Sequence, residues 1–509
     1  MLPSARQGPL PRQSTLSSLH ALVEPHIASF NGLLDGGLSR SVAALPPGHI
    51  RLSSGGTATF WLEDVSISRP KRPEAGVTDA RLLPAECRER GCTYGGELAA
   101  TLVRRVNGGE PQRTAHRLGS VPIMLRSSRC HLEGLSPAAL VAAREEAAEA
   151  GGYFIVNGIE RIIRMLQIPK RNYPMAITRS SYARRGRLYT DKGVAIRCVR
   201  PGDQSSATLT LHYLSDGSVT ARFTVRKQEF FVPVMVILKA LAATTDREVY
   251  ERVLAGELGN TFLSDRLLAL LRGAKEFEFA RALQTQAGAQ AILGARFRPL
   301  LPHVAPDASD AEAGAALLAG YVLVHIAPQR GGDKFALLLL MLRKLYAFVS
   351  GAVGEDNADS LAHQEVMLGG TLLQTMLKEK LGEMVEAMEL QASIEDRLAT
   401  RAMGEAAAAA AEEEGEEEEE EKEEEGEGGG GGGGAEAAAA KPAAVAAKRK
   451  KLPPPVDLND AAWWRKLVER RGDIGRKVAY LLATGNLVSS TGLDMQQVRA
   501  PAAPVSARA

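Results

Sequence analysis

Arginine and lysine side chains concentrate in one stretch of the chain. Residues 161–200 hold eleven basic residues against a single acid, Asp191. Because guanidinium and ammonium groups bind phosphate oxygens, this pattern indicates a surface that could contact nucleic acid. The candidate nucleic-acid-binding residues are Arg161, Arg164, Lys170, Arg171, Arg179, Arg184, Arg185 and Arg187.

Three tyrosines are interleaved with these basic residues, namely Tyr173, Tyr182 and Tyr189. Aromatic rings in such a segment can stack on nucleotide bases. The same pattern also suits an ordinary solvated strand face whose tyrosines pack against neighbouring side chains. The residues by themselves leave both interpretations open.

The sequence predicts no self-sufficient active site. It contains no Gly-x-x-x-x-Gly-Lys-Ser/Thr loop, no His-Glu-x-x-His motif and no aspartate cluster with the spacing of an Mg²⁺ site. The four cysteines form no Cys-x-x-Cys pair, so buried or half-buried thiols are expected instead of a zinc site. We therefore assign no catalytic residue and no metal-binding residue.

The net charge of +2 conceals two parts of opposite charge. Residues 412–427 contain thirteen glutamates and one lysine, so the rest of the chain carries a formal charge of +14. Such a basic body favours a polyanionic partner. The Ala-, Glu- and Gly-rich stretch 403–456 cannot bury apolar surface and is predicted to be disordered. Its basic residues 448–451 are either a nuclear import signal or a counter-charge for the glutamates.

Length and composition indicate an intracellular protein with several folded domains. The chain has 509 residues, 45% of them hydrophobic, which is enough for more than one core. Few cysteines and the absence of a signal peptide favour a reducing compartment. The longest apolar runs, residues 315–327 and 335–342, are too short to span a bilayer, so no membrane partner is expected.

A helix and a hairpin are predicted to position the basic segment. Ser136-Pro137 provides an N-cap and a first-turn proline for a helix over residues 138–150. The β-prone runs 153–156 and 159–168 flank Asn157-Gly158, the dipeptide that a two-residue type I′ turn requires. The basic residues would therefore lie on the return strand of this hairpin and beyond it.

The rest of the chain mixes strands and helices. A second hairpin is predicted over residues 208–225 with its turn at Asp216-Gly217, and an apolar helix over 234–242 follows Pro233. A short helix over 474–482 is predicted to end at residues 483–486. Further helices are predicted near residues 246–255, 263–272, 275–287, 310–327, 333–350 and 360–400.

The stretch from Gly151 to Arg164, Gly-Gly-Tyr-Phe-Ile-Val-Asn-Gly-Ile-Glu-Arg-Ile-Ile-Arg, resembles the second-largest subunits of nuclear RNA polymerases. The run from Arg171 to Ile177 resembles those of polymerase I in particular. Further likeness follows in the family's order at residues 25–31, 121–125, 130–132, 196–200, 211–214, 301–303, 378–381, 482–487 and 492–497. The resemblance is thus to the N-terminal portion of the RNA polymerase beta-subunit family.

This resemblance implies an α+β multidomain fold, with a protrusion that carries an inserted lobe and with the start of a fork. The implied segments are a disordered start (1–14), the protrusion's first part (15–192), the lobe (193–352), the protrusion's second part (353–402), a disordered acidic and Gly-rich insertion (403–456), an incomplete fork (457–498) and an unstructured tail (499–509). The fork region would include Thr484, Gly485, Asn486, Gln496 and Gln497.

In this family the protrusion, lobe and fork line the DNA cleft, so the basic segment would guide duplex DNA through phosphate contacts. The resemblance implies a subunit of DNA-directed RNA polymerase I, a nucleotidyltransferase that makes rRNA precursor in the nucleus and nucleolus. Its partners would be the largest subunit, other polymerase subunits and the DNA template. Mg²⁺ is expected in the complete polymerase, held by the largest subunit, with no cofactor on this chain.

The resemblance ends after Val498, before the family's hybrid-binding, wall, clamp and anchor regions. The chain would then be a fragment, an incomplete gene model or a truncated product, and we expect the isolated chain to be catalytically inactive. The alternative interpretation is a non-catalytic nucleic-acid-binding or polymerase-assembly protein derived from a truncated subunit.

Overall fold

The structure is a computed structural model. It describes residues 13–72, 79–226, 228–257, 259–277, 279–301, 304–305, 308–424, 456–470 and 473–486. The predictions made for residues 1–12, 425–455 and 487–509 lie outside the described residues, and so do the fork candidates Gln496 and Gln497.

The strands of the described chain form antiparallel sheets. They are β1 (Gly48–Arg51), β2 (Thr57–Ile67), β3 (Gly95–Val106), β4 (Gln112–Pro122), β5 (Phe154–Val156), β6 (Ile159–Arg161), β7 (Leu166–Pro169), β8 (Pro174–Thr178), β9 (Tyr189–Val199), β10 (Ser206–Leu214), β11 (Val219–Val225), β12 (Gln228–Pro233) and β13 (Gln364–Met367). One sheet has the order β1-β2-β3-β4, and a second has the order β12-β11-β10-β9-β8. Two ribbons pair β5 with β6 and β7 with β13.

Helices make up most of the remaining regular structure. They are α1 (Gln13–Gly32), α2 (Leu38–Ala43), α3 (Pro84–Arg90), α4 (Pro137–Ala142), α5 (Ser180–Ala183), α6 (Val234–Leu241), α7 (Asp246–Leu254), α8 (Thr261–Lys275), α9 (Gln286–Phe297), α10 (Asp310–Tyr321), α11 (Gly331–Ser350), α12 (Gly369–Glu424), α13 (Ala461–Glu469) and α14 (Ile474–Thr484). A π-helical turn, Leu33–Gly37, joins α1 to α2.

The first module comprises the described parts of residues 13–169 and 364–486, which share one hydrophobic core. Phe30 of α1 meets Phe154 of β5 edge to face, with 5.4 Å between the ring centroids. Phe60 of β2 meets Trp464 of α13 in the same way, also at 5.4 Å. Segments from three distant parts of the chain therefore close a single core around the four-stranded sheet.

The second module comprises the described parts of residues 170–363, and its own core packs the five-stranded sheet against α6 to α11. Phe230 and Phe297 meet at 4.9 Å, and the hydroxyl of buried Tyr346 donates to Gly217 O at 3.1 Å. The chain passes between the modules through β7 and β13, which pair over four residues. We call this two-stranded ribbon the neck.

The predicted boundary between residues 192 and 193 falls inside β9. Strand β8 pairs with β9 from Pro174 to Thr178, so both strands belong to the second module and the division lies near residue 170. At the other end, Asp356 accepts a hydrogen bond from Ala176 N at 2.7 Å, so the second module continues past residue 352. Strand pairing sets the first limit and a hydrogen bond between residues 180 positions apart sets the second, and local sequence patterns reveal neither.

Several predicted elements are confirmed. The first hairpin turns at Asn157 and Gly158, with φ angles of 52° and 75° as a type I′ turn requires. The second hairpin pairs β10 with β11 around Gly217, whose φ is 88°. Helix α6 begins directly after Pro233, and α14 ends at Gly485, whose φ of 74° is left-handed.

The helix predicted over residues 138–150 is wrong in its second half. Helix α4 ends at Ala142, and Arg144 has a left-handed φ of 67°. The chain leaves the helix here because the Glu145 carboxylate is buried against Arg88, 57 residues earlier. A long-range ion pair thus overrides the helix propensity of a run rich in alanine and glutamate.

Four other predicted elements differ from the structure. The return strand 159–168 is two strands, β6 and β7, which pair with different partners. Residues 364–367, predicted as helix, form β13 because they pair with β7 across the neck. Between residues 275 and 287 the structure has a 3₁₀ turn, Ala282–Gln284, and α9 starts at Gln286 with Thr285 as its N-cap. Helix α10 ends at Tyr321, short of residue 327.

The first part of the stretch predicted to be disordered from residue 403 is helical, since α12 continues to Glu424. The segment contains six consecutive alanines, 406–411, and alanine is the strongest helix former. At the other end of the chain, α1 begins at Gln13, inside the stretch 1–14 that was predicted to be disordered.

Candidate nucleic-acid interface

The glycine pair before the first hairpin is required by the backbone. Gly151 and Gly152 have left-handed φ angles of 75° and 81°. A Cβ atom on Gly151 would lie 2.6 Å from the carbonyl oxygen of Leu125, and one on Gly152 would lie 2.3 Å from a methyl carbon of Val23. Only glycine fits at these positions, so the pair serves packing.

Arg88 of α3 connects that helix to the first hairpin. Arg88 Nη1 lies 2.9 Å from Glu145, and its Nε lies 2.7 Å from Glu160 on β6. Its Nη2 donates to the Tyr153 hydroxyl at 2.8 Å, and that hydroxyl donates to Glu149 at 2.9 Å. Burial raises the pKa of Glu145, although Arg88 acts in the opposite direction. The hairpin is therefore a structural junction of the first module.

The first two basic candidates follow this junction. Arg161 ends β6 and is half-buried, and its Nε has no hydrogen-bond partner within the described residues. Arg164 lies in the loop between β6 and β7 and is exposed. Its side chain makes no hydrogen bond, ion pair or ring contact within the described part of the chain, so it is free to meet an external anion.

The next two candidates, Lys170 and Arg171, directly follow strand β7 of the neck. Arg171 Nε and Arg197 Nη1 each lie 2.8 Å from an oxygen of Glu365 on β13, and Arg197 also donates to Pro169 O at 3.2 Å. Lys170 Nζ lies 5.5 Å from the centroid of the Tyr173 ring. These basic groups therefore hold together the two chain segments that connect the modules.

The loop after α5 separates bonded from free arginines. Arg185 Nη1 lies 2.5 Å from Glu229 of β12, and its guanidinium lies 5.1 Å from the centroid of the Phe231 ring. By contrast, Arg184 and Arg187 in this loop, and Arg179 directly before α5, are exposed, and no described residue pairs with their side chains. This end of the basic segment thus presents three unpaired positive charges to solvent.

The tyrosines of the basic segment pack on neighbours. Tyr182 is buried and meets His212 edge to face at 4.4 Å, while Tyr189 meets Phe231 at 5.6 Å. Burial, followed by the nearby Arg222, lowers the pKa of His212 to about 3, so this ring is neutral at physiological pH. Tyr173 stacks on His363 at 5.4 Å. Tyr182 is thus unavailable to nucleotide bases.

The sequence does not predict the acidic partners of Arg171, Arg185 and Arg197. Glu365 is 168 residues from Arg197, and Glu229 is 44 residues from Arg185. Neither glutamate lies in a recognisable motif, so a local pattern could not have connected it to the basic segment. The free candidates that remain are Arg164, Arg179, Arg184 and Arg187.

The described fork candidates cap a helix. Gly485 N donates to Leu481 O at 2.7 Å, Thr484 Oγ1 donates to Tyr480 O at 2.8 Å, and Asn486 N donates to Thr484 Oγ1 at 3.1 Å. Their visible role is to terminate α14.

Two further properties concern metals and membranes. Within the described ranges, no group of three or more His, Cys, Asp or Glu side chains is arranged to hold a metal ion. In the same part of the chain, no helix combines the length and apolar character needed to cross a bilayer.

Comparison with known proteins places this architecture in a family. The sequence profile described as RNA polymerase beta subunit matches residues 21–411. A probable DNA-directed RNA polymerase I subunit RPA2 of Schizosaccharomyces pombe is 40% identical over 500 residues, 95% of this chain and 37% of the relative. The DNA-directed RNA polymerase I subunit RPA135 of Saccharomyces cerevisiae is 38% identical over 509 residues, 96% of this chain and 37% of the relative.

The human relative is also a DNA-directed RNA polymerase I subunit RPA2, 38% identical over 375 residues, which are 73% of this chain and 32% of that protein. The chain therefore belongs to the RNA polymerase beta subunit family, as the hairpin motif had indicated. It spans about a third of the length of these relatives.

Proposed function

We propose that the chain is the N-terminal part of the second-largest subunit of DNA-directed RNA polymerase I. The observation that carries this proposal is the likeness to subunits of that name over 95% of the chain. In this assignment the first module is the protrusion, the second module is the inserted lobe, and α13 with α14 begins the fork. The complete enzyme would synthesise rRNA precursor from a DNA template in the nucleus and nucleolus.

The free arginines would contribute to the wall of the DNA cleft. Arg164, Arg179, Arg184 and Arg187 are exposed and unpaired among the described residues, so they can contact phosphate oxygens without breaking an internal bond. Arg171 and Arg185 would instead maintain the geometry that presents them. Such contacts guide duplex DNA without reading its sequence.

Partners and cofactor follow from the same assignment. The chain would assemble with the largest polymerase I subunit and with other subunits of the complex. Mg²⁺ would be bound by the largest subunit, which leaves this chain without a catalytic residue of its own. The alternative of a non-catalytic assembly protein is not favoured, because no particular observation distinguishes it.

A chimeric subunit tests the proposal. The part of S. cerevisiae RPA135 that aligns with this chain would be replaced by the chain, and the chimera would be the only source of that subunit in yeast. We expect pre-rRNA synthesis and growth, because 38% identity extends over 96% of the chain. Pulse labelling of pre-rRNA measures the outcome.

The matched control replaces the same part with that of the Eremothecium gossypii subunit, whose 39% identity to this chain covers a similar length. Loss of pre-rRNA synthesis with this chain alone, while the control chimera works, would contradict the proposal. The isolated 509-residue chain, supplied with Mg²⁺, nucleoside triphosphates and a primed template, is expected to incorporate no nucleotide.

A further inference from the structure

Two cysteines flank the C-terminal end of α3. Gly91 follows the helix with a left-handed φ of 64°, and Cys92 N donates to Cys87 O at 3.0 Å. This is the Schellman type of helix ending, in which the residue after the left-handed glycine contacts the side chain of the last turn. The helix ending therefore brings the thiols of Cys87 and Cys92 together. Burial, followed by the neighbouring Cys92 thiol, raises the pKa of Cys87.

The geometry of this pair is compatible with a disulfide. A bridge requires Cα atoms roughly 4.4–6.8 Å apart and converging Cβ atoms. The two residues are direct backbone neighbours, because the Cys92 amide donates to the Cys87 carbonyl at 3.0 Å. All four cysteines are reduced in the structure, so the bridge would be formed by oxidation.

The two thiols differ in access. Cys87 is fully buried, whereas Cys92 is half-buried and therefore reachable by a small reagent. The other two cysteines, Cys130 and Cys198, are fully buried. Cys130 Sγ already accepts a hydrogen bond from Leu132 N at 3.3 Å. Cys92 is thus the accessible member of a pair, and Cys87 is its resolving partner.

The first hairpin lies directly against this helix ending. Gly158 N donates to Cys92 O at 2.9 Å, and a Cβ atom on Gly158 would lie 2.7 Å from Gly91 Cα. Asn157 N donates to Thr93 Oγ1 at 3.0 Å. Because the turn packs so closely, a bulky adduct on Cys92 would press on the hairpin. A bond between the two thiols adds no atoms and removes two hydrogens.

We propose that Cys87 and Cys92 are a thiol–disulfide exchange site whose co-reactant is a small-molecule disulfide. The Cys92 thiolate attacks one sulfur of the reagent, forms a mixed disulfide and releases one thiolate. The buried Cys87 thiol then gives its proton to the released thiolate, attacks Cys92 Sγ and displaces the second thiolate. Two cysteine thiols are oxidised to one protein disulfide, one reagent disulfide is reduced to two thiols, and both protons stay with the released thiols.

Oxidised glutathione is the probe for this site. The full 509-residue chain would be incubated with it under native conditions, alkylated to block remaining thiols, digested with trypsin and analysed by mass spectrometry. Trypsin cuts after Arg88 and Arg90, so the two cysteines end up in separate peptides, residues 82–88 and 91–104. We expect these peptides to be joined by a disulfide that dithiothreitol separates.

Variants distinguish the pair from general thiol reactivity. Cys198→Ser should leave the joined peptides unchanged, because Cys198 belongs to the second module. Cys92→Ser should abolish them, and Cys87→Ser should stop the reaction at a mixed disulfide on Cys92. In the unmodified chain, a persistent glutathione adduct on Cys92, joining of Cys92 to Cys130, or no reaction at either residue would each overturn the proposal.

Discussion

The hairpin that precedes the basic segment and the loop around Arg184 within that segment differ in what surrounds their side chains. At the hairpin end, Glu160 and Tyr153 are held by Arg88, and the backbone admits only glycine at Gly151. In the loop, the side chains of Arg184 and Arg187 make no hydrogen bond or ion pair with a described residue. The hairpin builds the fold, whereas the exposed arginines of the loop, like Arg164 after the hairpin, present charge to solvent.

This difference shows that charge density alone does not identify a binding surface. An arginine that already has a carboxylate partner must give up that ion pair before it can bind a phosphate. The loss of the ion pair then offsets most of the free energy gained from the phosphate contact. Arg171 and Arg185 have such partners in Glu365 and Glu229. A solvent-exposed, unpaired guanidinium has no such cost.

The largest expected effect on stability comes from the close packing of the glycine pair before the first hairpin. Gly151→Ala places a Cβ atom 2.6 Å from Leu125 O at a φ of 75°. Because strain and overlap with backbone add together, we expect the free energy of unfolding of the first module to fall by about 3 kcal/mol or more. Urea unfolding followed by tryptophan fluorescence measures this, since Trp464 lies in that core.

Gly134→Ala is the matched control. Gly134 has a similar φ of 68°, but its added Cβ atom would meet nothing within 4 Å. We expect it to cost only the left-handed backbone penalty of about 1 kcal/mol. If both variants lost the same stability, close packing around the glycine pair would not explain its presence, and the comparison between the two regions would fail.

The second effect concerns the neck. Glu365→Gln removes the counter-charge of Arg171 and Arg197, and the side chain of Arg197 is only 12% exposed. Because a largely buried guanidinium is then left without its carboxylate, we expect a loss of about 2 kcal/mol, with faster hydrogen exchange in β7 and β13. Amide hydrogen exchange read by mass spectrometry localises the change.

Glu251→Gln is the corresponding control, since Glu251 pairs with an arginine that is 85% exposed on α7. Its expected loss is less than about 0.5 kcal/mol. Unchanged exchange in both neck strands of the Glu365 variant would show that Arg171 is not a structural residue. It would then return to the set of candidate DNA contacts.

Local features were predictable from sequence because local chemistry determines them. Asn157-Gly158 specifies its turn, and Pro233 and Gly485 set helix limits without help from distant residues. Other features depend on partners far along the chain. Glu145 leaves its helix for Arg88, and β13 becomes a strand only because β7 lies beside it.

The same reasoning explains the partial success at the candidate interface. The positive segment was visible in the residues, and the family likeness followed from its hairpin motif. The division into bonded and free arginines was not visible, because Glu229 and Glu365 reach the segment only after both modules fold. The pairing of β8 with β9, which places both strands in one sheet across residue 192, was likewise not visible in the residues.

The smallest effect on stability is expected at Arg184 and Arg187. Substitution there should instead change the binding of duplex DNA. The double variant Arg184→Ala with Arg187→Ala should leave unfolding within about 0.5 kcal/mol of the unaltered chain. It should reduce the slope of log K for duplex DNA against log salt by about 2, because each lost phosphate contact removes about one unit. Fluorescence anisotropy with a labelled duplex at several salt concentrations measures both affinity and slope.

Arg171→Ala with Arg185→Ala is the charge-matched control, since it removes the same two positive charges from paired positions. We expect its salt slope to change by less than half as much, provided that thermal unfolding confirms a folded chain. Equal slopes for the two double variants would mean that DNA responds to the net charge of the segment alone. In that case exposure and pairing would not separate contacting arginines from structural ones, and the distinction between the two regions would concern stability only.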